Sequence, residues 1–402
     1  MSFLQALQCG KCGKIYDATI LQTVCNVCAK PLLARYDLEG VKDAITPRIF
    51  KERTADMWRY WELLPVKEEI NKISLGEGAT PLLKLRKTAE TLGMKELWLK
   101  DDGKNPTNTF KCRGLSVAVS KAKEFGVQKL VIPTAGNAGG ALAAYAQRAG
   151  LKAYVIMPAD APQITKIETT ISGADVFLVD GLISDAGKIA NELETVGVFN
   201  VSTLKEPYRV EGKKTMGLEI AEDLNWKLPD VIIYPTGGGT GIIGIWKAFK
   251  ELKTLGWIDE IPTRMFSVQT EGCAPIVKAW REGKDESEFW EGAKTIAAGL
   301  RIPKPLGDFL ILRALKESSG GAITVSDEEL LEDVQILASE GFFVCPEGGA
   351  TLSGLKKLRD QGEIDKDEHV VLLNTGTGFK YAELFRADPP VIWHVKDILD
   401  RL

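Results

Sequence analysis

Between residues 97 and 202, apolar and polar positions change period in a regular cadence. Short runs rich in Val, Ile, Leu and Phe at 129–133, 153–157, 175–179 and 199–202 predict strands. The stretches between them, 138–149, 163–172 and 184–194, predict helices. Strands alternating with helices imply a parallel sheet covered on both faces. In such sheets, ligands sit beyond the carboxyl ends of the strands. The run 97–103 reads as a strand leading into a turn around Pro106 and Asn108. A helix follows, with Thr109 as its N-cap and Leu115, Ala118, Val119 and Ala122 on one buried face. Later, 230–244 reads as an apolar strand running into five glycines and a helix, and 369–378 as a buried strand ending in a polar, glycine-rich turn. Ser326 to Glu329 has the pattern of a capping box.

Composition narrows the function classes. The 402 residues are 45% hydrophobic, enough for a substantial core and for two or three domains. A net charge of −4 without a basic block argues against nucleic acid or an anionic membrane as partner. No uninterrupted apolar run is long enough to span a bilayer and no cleavable signal peptide is evident, so a cytoplasmic protein is expected. Only His369 and His394 are histidines and no G-x-S-x-G occurs, which disfavours a serine hydrolase or a His-cluster metalloenzyme.

Four of the seven cysteines fall in the first segment, as Cys9-Gly-Lys-Cys12 and Cys25-Asn-Val-Cys28, with twelve residues between the pairs. Two such knuckles suit tetrahedral zinc, with the intervening K-I-Y-D-A-T-I-L-Q-T-V run forming a short hairpin. Two disulfides or idle thiols are the alternatives, and disulfides are disfavoured in a cytosolic protein. Four cysteine ligands would leave no coordination position open, so the metal's role would be structural. Between 38 and 73 the chain is rich in charge and tryptophan, which suggests packing or an interface and no chemistry.

The candidate chemistry lies in the turns. Lys111, in N-P-T-N-T-F-K-C-R-G, falls in a first helical turn, where the dipole disfavours a cation. That field, with Arg113 close by, would keep its amine neutral and nucleophilic. The turn T-A-G-N-A-G-G-A at 134–141 lets backbone approach a flat ligand and offers helix-start amides. The loop T-G-G-G-T-G at 236–241 suits a phosphate lying on amides; its formal G-x-G-x-x-G match lacks the acidic residue of a dinucleotide site.

Together and in this order, these stretches resemble the signatures of fold type II pyridoxal-phosphate (PLP) enzymes. The 105–114 stretch is similar to P-T-G-S-F-K-x-R-G, V-C-P-E-G-G-A at 344–350 to the family's E-P-x-x-A segment, and S-L-G-E-G-A-T-P-L at 74–82 to the opening of threonine synthases. The resemblance spans about residues 74–380. It implies an α/β fold of two lobes, with parallel or mostly parallel sheets flanked by helices, plus the small zinc-ribbon-like β element. The expected divisions are 1–37 for the ribbon, 38–115 for a linker and the first part of the large domain, 116–201 for the small lobe, and 202–402 for the remainder and C-terminal tail.

Carried over residue by residue, the resemblance makes Lys111 the Schiff-base lysine, beside Phe110. It makes Asn137 a contact to the cofactor's phenolic oxygen, and Gly237, Gly238, Gly239, Thr240 and Gly241 the phosphate loop. Thr375 becomes the neutral partner of the pyridine nitrogen. Thr134, Ala135, Gly136 and Ala138 would line a substrate carboxylate pocket. Arg209, in P-Y-R-V-E-G-K-K-T, would meet a substrate phosphate, the alternative being a surface pair with Glu211. Cys9, Cys12, Cys25 and Cys28 remain the metal ligands. The implied reaction converts O-phospho-L-homoserine and water to L-threonine and phosphate, with PLP as cofactor, structural zinc and a homodimeric assembly. Ala138-Gly139 replaces the Thr-Ser of many threonine synthases, Asn108-Thr109 replaces Gly-Ser, and Cys112 replaces Asp or Ala. A serine/threonine dehydratase and a β-replacement synthase acting on O-phosphoserine therefore stay open, as does a catalytically idle PLP or NAD binder.

Overall fold

A computed structural model describes residues 1–392; the end of the C-terminal tail, with His394, lies outside the described residues. The chain opens with an antiparallel sheet of β1 (Leu4–Cys9), β2 (Ile15–Tyr16) and β3 (Leu32–Tyr36), in the order β2-β1-β3. It then lays down β4 (Leu82–Lys84) and β5 (Glu96–Asp101) of a second sheet. From there it leaves to build a separate four-stranded parallel sheet from β6 (Lys129–Pro133), β7 (Lys152–Pro158), β8 (Asp175–Val179) and β9 (Phe199–Asn200). Returning, it completes the second sheet with β10 (Val231–Pro235), β11 (Arg264–Thr270), β12 (Gly321–Val325) and β13 (His369–Asn374). The six strands lie in the order β12-β11-β10-β13-β5-β4, all parallel except β4.

The sheets follow from their sequences. In β10 and β13 nearly every residue is buried, because helices cover both faces, and the strands read as continuous apolar runs without alternation. The alternation expected between 129 and 202 appears with strand ends shifted by a residue or two. The expected hairpin between the cysteine pairs does not form. Asp17 accepts from the amide and hydroxyl of Thr19 and turns the chain, so β2 pairs with β1, and Val24 bridges to Pro31 around the second knuckle.

Five helices position the cleft: Lys111–Glu124, Asn137–Ala149, Arg209–Asp223, Thr240–Thr254 and Pro346–Asp360. The first is buried all round and not on one face, because it is sandwiched between the Asn137 and Arg209 helices. Its N-cap is Phe110 and not Thr109, which is held extended by a bridge to Gly376 while its hydroxyl accepts from the Lys111 amide at 3.4 Å. The Lys111, Arg209 and Thr240 helices meet backbone to backbone: a Cβ on Gly212 would lie 2.0 Å from the Arg113 carbonyl, and one on Gly244 would lie 2.8 Å from the Lys214 amide. Among the described residues, no helix is long and apolar enough to cross a membrane.

Candidate active site

A cavity of about 260 Å³ opens beyond the carboxyl ends of β6, β10 and β13. The helices beginning at Lys111, Asn137, Thr240 and Pro346 all start in its wall, through Lys111, Asn137, Thr240 and the Cys345–Glu347 segment. Each start leaves backbone amides without intrahelical partners and contributes a partial positive charge, so the cavity favours anions.

Lys111 is half-buried, on the cavity wall. Its surroundings desolvate the amine, and this burial pushes its pKa down to about 8. The positive charge of Arg209 acts in the same direction, while Glu347 and Cys345 oppose it. Arg113, expected to depress the amine, does not take part. It is fully buried and saturated by Asp102 and Glu219, with Thr80 and Thr215 completing its hydrogen bonds.

The glycine loop follows β10. Gly239 has φ +79°, and a Cβ on Gly241 would fall 1.9 Å from the Tyr234 hydroxyl, so neither position tolerates a side chain in this conformation. The amides of Gly237, Gly238 and Gly239 have no backbone acceptor among the described residues. This is a bare amide cradle at a helix start, as a phosphate requires.

Opposite lies the 134–138 turn. The Asn137 side-chain carbonyl is buried without a partner, while its Nδ2 donates to the Tyr381 hydroxyl at 3.3 Å. Tyr381 donates to Glu347 Oε1 at 2.9 Å, which also accepts the Gly299 amide at 2.7 Å, and Glu347 Oε2 is buried without a partner. Thr375 holds the base of the Lys111 helix, its carbonyl accepting the Phe110 amide at 2.9 Å, and its hydroxyl lies 3.8 Å from Cys345 Sγ.

Phe110, Lys111, Thr134, Ala135, Gly136, Asn137, Ala138, Gly237, Gly238, Gly239, Thr240 and Thr375 therefore share one cavity wall, with Gly241 and Arg209 just behind it. Arg209 is buried, which excludes the surface pair with Glu211; that carboxylate binds Lys214 and Lys247 instead. Arg209 Nη1 donates to the Val201 carbonyl at 2.8 Å and its Nε has no partner. Lys213 donates to the Phe110 carbonyl, and burial holds its amine well below its ordinary pKa, with Lys111 and Arg209 adding to the effect. Among the described residues no carboxylate forms an ion pair with the side chains of Lys111, Arg209 or Lys213, although Glu206 Oε1 accepts the Arg209 backbone amide at 3.0 Å. Three neighbouring basic side chains without an ion-pair partner suit an anion, whose charge would favour the protonated form of the two amines.

Sequence reasoning missed Tyr381, Lys380 and Glu168. The first two follow the T-G-T-G turn after one intervening residue, Phe379, and a Lys-Tyr pair beside a ligand-facing turn was the available signal. Glu168 carried no local signal.

In the ribbon, the four cysteine ligand atoms lie within 4.8 Å of one another. Cys9 and Cys28 sulfurs are 3.4 Å apart and Cys12 and Cys25 sulfurs 3.6 Å, close to the roughly 3.8 Å edge of a tetrahedron with 2.3 Å metal–sulfur bonds. Amides of Lys11 and Cys12 donate to Cys9 Sγ, and that of Val27 to Cys25 Sγ, each at 3.4 Å. Such donors stabilise thiolates, so the donor set fits a soft divalent metal.

The family described as pyridoxal-phosphate dependent enzyme matches residues 73–376. The threonine synthase of Methanocaldococcus jannaschii is 39% identical over 375 residues, covering 93% of this chain and 92% of the relative. That of Methanosarcina acetivorans is 38% identical over 372 residues, covering 92% and 91%. Among solved structures, maize serine racemase superposes with a TM-score of 0.65 at 21% identity, covering 80% of this chain and 93% of its own. The processed form of threonine deaminase isoform 2 from Solanum lycopersicum gives 0.64 at 23% identity, covering 76% and 85%.

Proposed function

The chain belongs to the pyridoxal-phosphate dependent enzymes and, within them, to the threonine synthases, and from that premise we propose that it converts O-phospho-L-homoserine and water to L-threonine and phosphate. The carrying observation is the group of basic side chains without ion-pair partners, Lys111, Arg209 and Lys213, beside a separate bare amide cradle. A substrate that brings its own phosphate, acting on a cofactor that brings another, needs two anion sites.

The 237–241 amides would hold the cofactor phosphate, Lys111 would hold its aldehyde carbon covalently, and Asn137 and Thr375 would face its ring oxygen and nitrogen. Bound there, PLP supplies an electron sink for negative charge developing at the substrate's Cα. Thr375 offers that ring a neutral hydroxyl and no carboxylate. The amides of the 134–138 turn hold the substrate carboxylate at a helix start. Lys111, with an amine half-neutral near pH 8, takes protons from Cα and Cβ, supplies one to Cγ after the phosphate leaves, and returns one to Cα. Arg209 and Lys213 stabilise negative charge on the departing phosphate, and water then adds at Cβ.

Cys9, Cys12, Cys25 and Cys28 hold a structural zinc in this reading, and residues 116–201 form the smaller of two catalytic lobes. The test is direct. The PLP-loaded protein should release phosphate from O-phosphohomoserine with equimolar threonine. Ammonia from threonine, with no phosphate from O-phosphohomoserine, would select the dehydratase instead.

A further inference from the structure

Lys380 enters the cavity wall from the turn after β13, with its side chain only 6% exposed. Its ammonium donates to both carboxylate oxygens of Glu168, at 2.9 and 2.7 Å. Glu168 belongs to the helix Gln163–Ile171, which packs on the Asn137 helix and on β8 of the four-stranded sheet, so this pair joins the two sides of the cleft. The carboxylate rests on Gly140, in the first turn of the Asn137 helix: a Cβ there would lie 2.3 Å from Glu168 Oε2. Glu168 thus occupies ground that the helix start makes favourable for an anion.

The cavity wall carries three lysines. Lys111 is committed to the cofactor, and Lys304 is tied to Asp308 and the Ser287 carbonyl. Lys380 alone has a partner that can leave. Glu168 keeps 18% of its side chain exposed, enough to turn towards water. A phosphate dianion carries more charge and more acceptors than one carboxylate, so it competes well for the same ammonium.

We propose that Lys380 is a specificity-determining residue that binds the substrate's phosphate, and that Glu168 is an internal stand-in anion which the phosphate displaces. This assignment rests on the synthase reading. In the empty enzyme Glu168 keeps Lys380 neutralised and extended; in the loaded enzyme the ammonium transfers to phosphate. Substrates lacking a second anion leave the Lys380–Glu168 pair intact.

The experiment uses PLP-loaded wild type, Lys380→Met and Glu168→Gln. Inorganic phosphate binding is measured by calorimetry, L-threonine binding by the cofactor's absorption, and KM with O-phosphohomoserine. Lys380→Met should weaken inorganic phosphate and raise KM by about tenfold or more, the loss of one charged hydrogen-bond donor, while L-threonine binding stays within about twofold. Glu168→Gln should act in the opposite sense and tighten inorganic phosphate, which a merely structural clasp would not do. Weaker phosphate binding in Glu168→Gln, or an equal loss of phosphate and L-threonine affinity in Lys380→Met, overturns the assignment. Wild type that releases no phosphate from O-phosphohomoserine overturns the synthase reading instead, and the inorganic phosphate titration still judges Lys380 by itself.

Discussion

In the proposed reaction Lys111 combines a nucleophile's job with a position that makes protonation costly. Its amine sits near pKa 8 against 10.5 for an ordinary lysine, with burial as the main cause. In the cofactor-free protein, covalent capture of PLP should therefore accelerate as pH rises through about 8 and level off above it, followed by stopped-flow absorbance. The same shift makes the unfolded chain the better proton acceptor. Lys111 thus costs stability below pH 8, and that cost disappears as pH rises from about 8 towards 10.5. Lys111→Ala should still bind PLP weakly through the amide cradle and lose turnover. This residue and its loops were legible because each signature is a short contiguous run. The Asn137–Tyr381–Glu347 chain and the Lys380–Glu168 pair were not, since the latter joins side chains 212 residues apart and no local pattern records such a partner. Arg113 illustrates the converse: its proximity to Lys111 in sequence suggested influence, but the fold satisfies it elsewhere. Arg113→Met should cost about 3–5 kcal/mol in denaturant unfolding, because Asp102 and Glu219 would keep buried charges without their guanidinium.

Helices bring these residues together by meeting at glycine. The Lys111, Arg209 and Thr240 helices begin at or just behind the same cavity only because their backbones touch at Gly212 and Gly244. Gly212→Ala forces its methyl into the Arg113 carbonyl, so it should destabilise by about 1–3 kcal/mol and also lower PLP affinity, read from urea melts and a PLP titration. A glycine in a helix would ordinarily count as a weakness, and its packing reason appears only when the neighbouring helix is in place. Strands transferred better from sequence to structure. Runs such as V-I-I-Y-P and H-V-V-L-L-N are apolar at almost every position, and a doubly covered parallel sheet has one place for them. The ribbon hairpin failed for the opposite reason: a single Asp17–Thr19 turn outweighed the β-prone residues around it.

Across the whole molecule, the ribbon is anchored to the catalytic body by a shared core. Leu4, Leu7 and Tyr36 pack with Met57, Trp58, Val117 and Tyr208, and Lys11 and Lys30 both reach Glu286. One zinc per chain is expected by elemental analysis. Chelation should lower the melting temperature and raise proteolysis before residue 37, while the cofactor's absorbance persists, because the cysteines lie apart from the cavity wall.

The strand order has a consequence for how the protein comes into being. β13 lies between β10 and β5, and Asn374 at its end donates to Asp101, 273 residues earlier, at 2.7 Å. A chain emerging from the ribosome completes its four-stranded sheet long before that strand exists. During this interval β5 and β10 present unpaired edges, and neither Thr375 nor Tyr381 has been made. Cofactor loading is therefore confined to the last stage of synthesis, and a nascent chain stalled before residue 369 should stick to chaperones and stay colourless even in excess PLP.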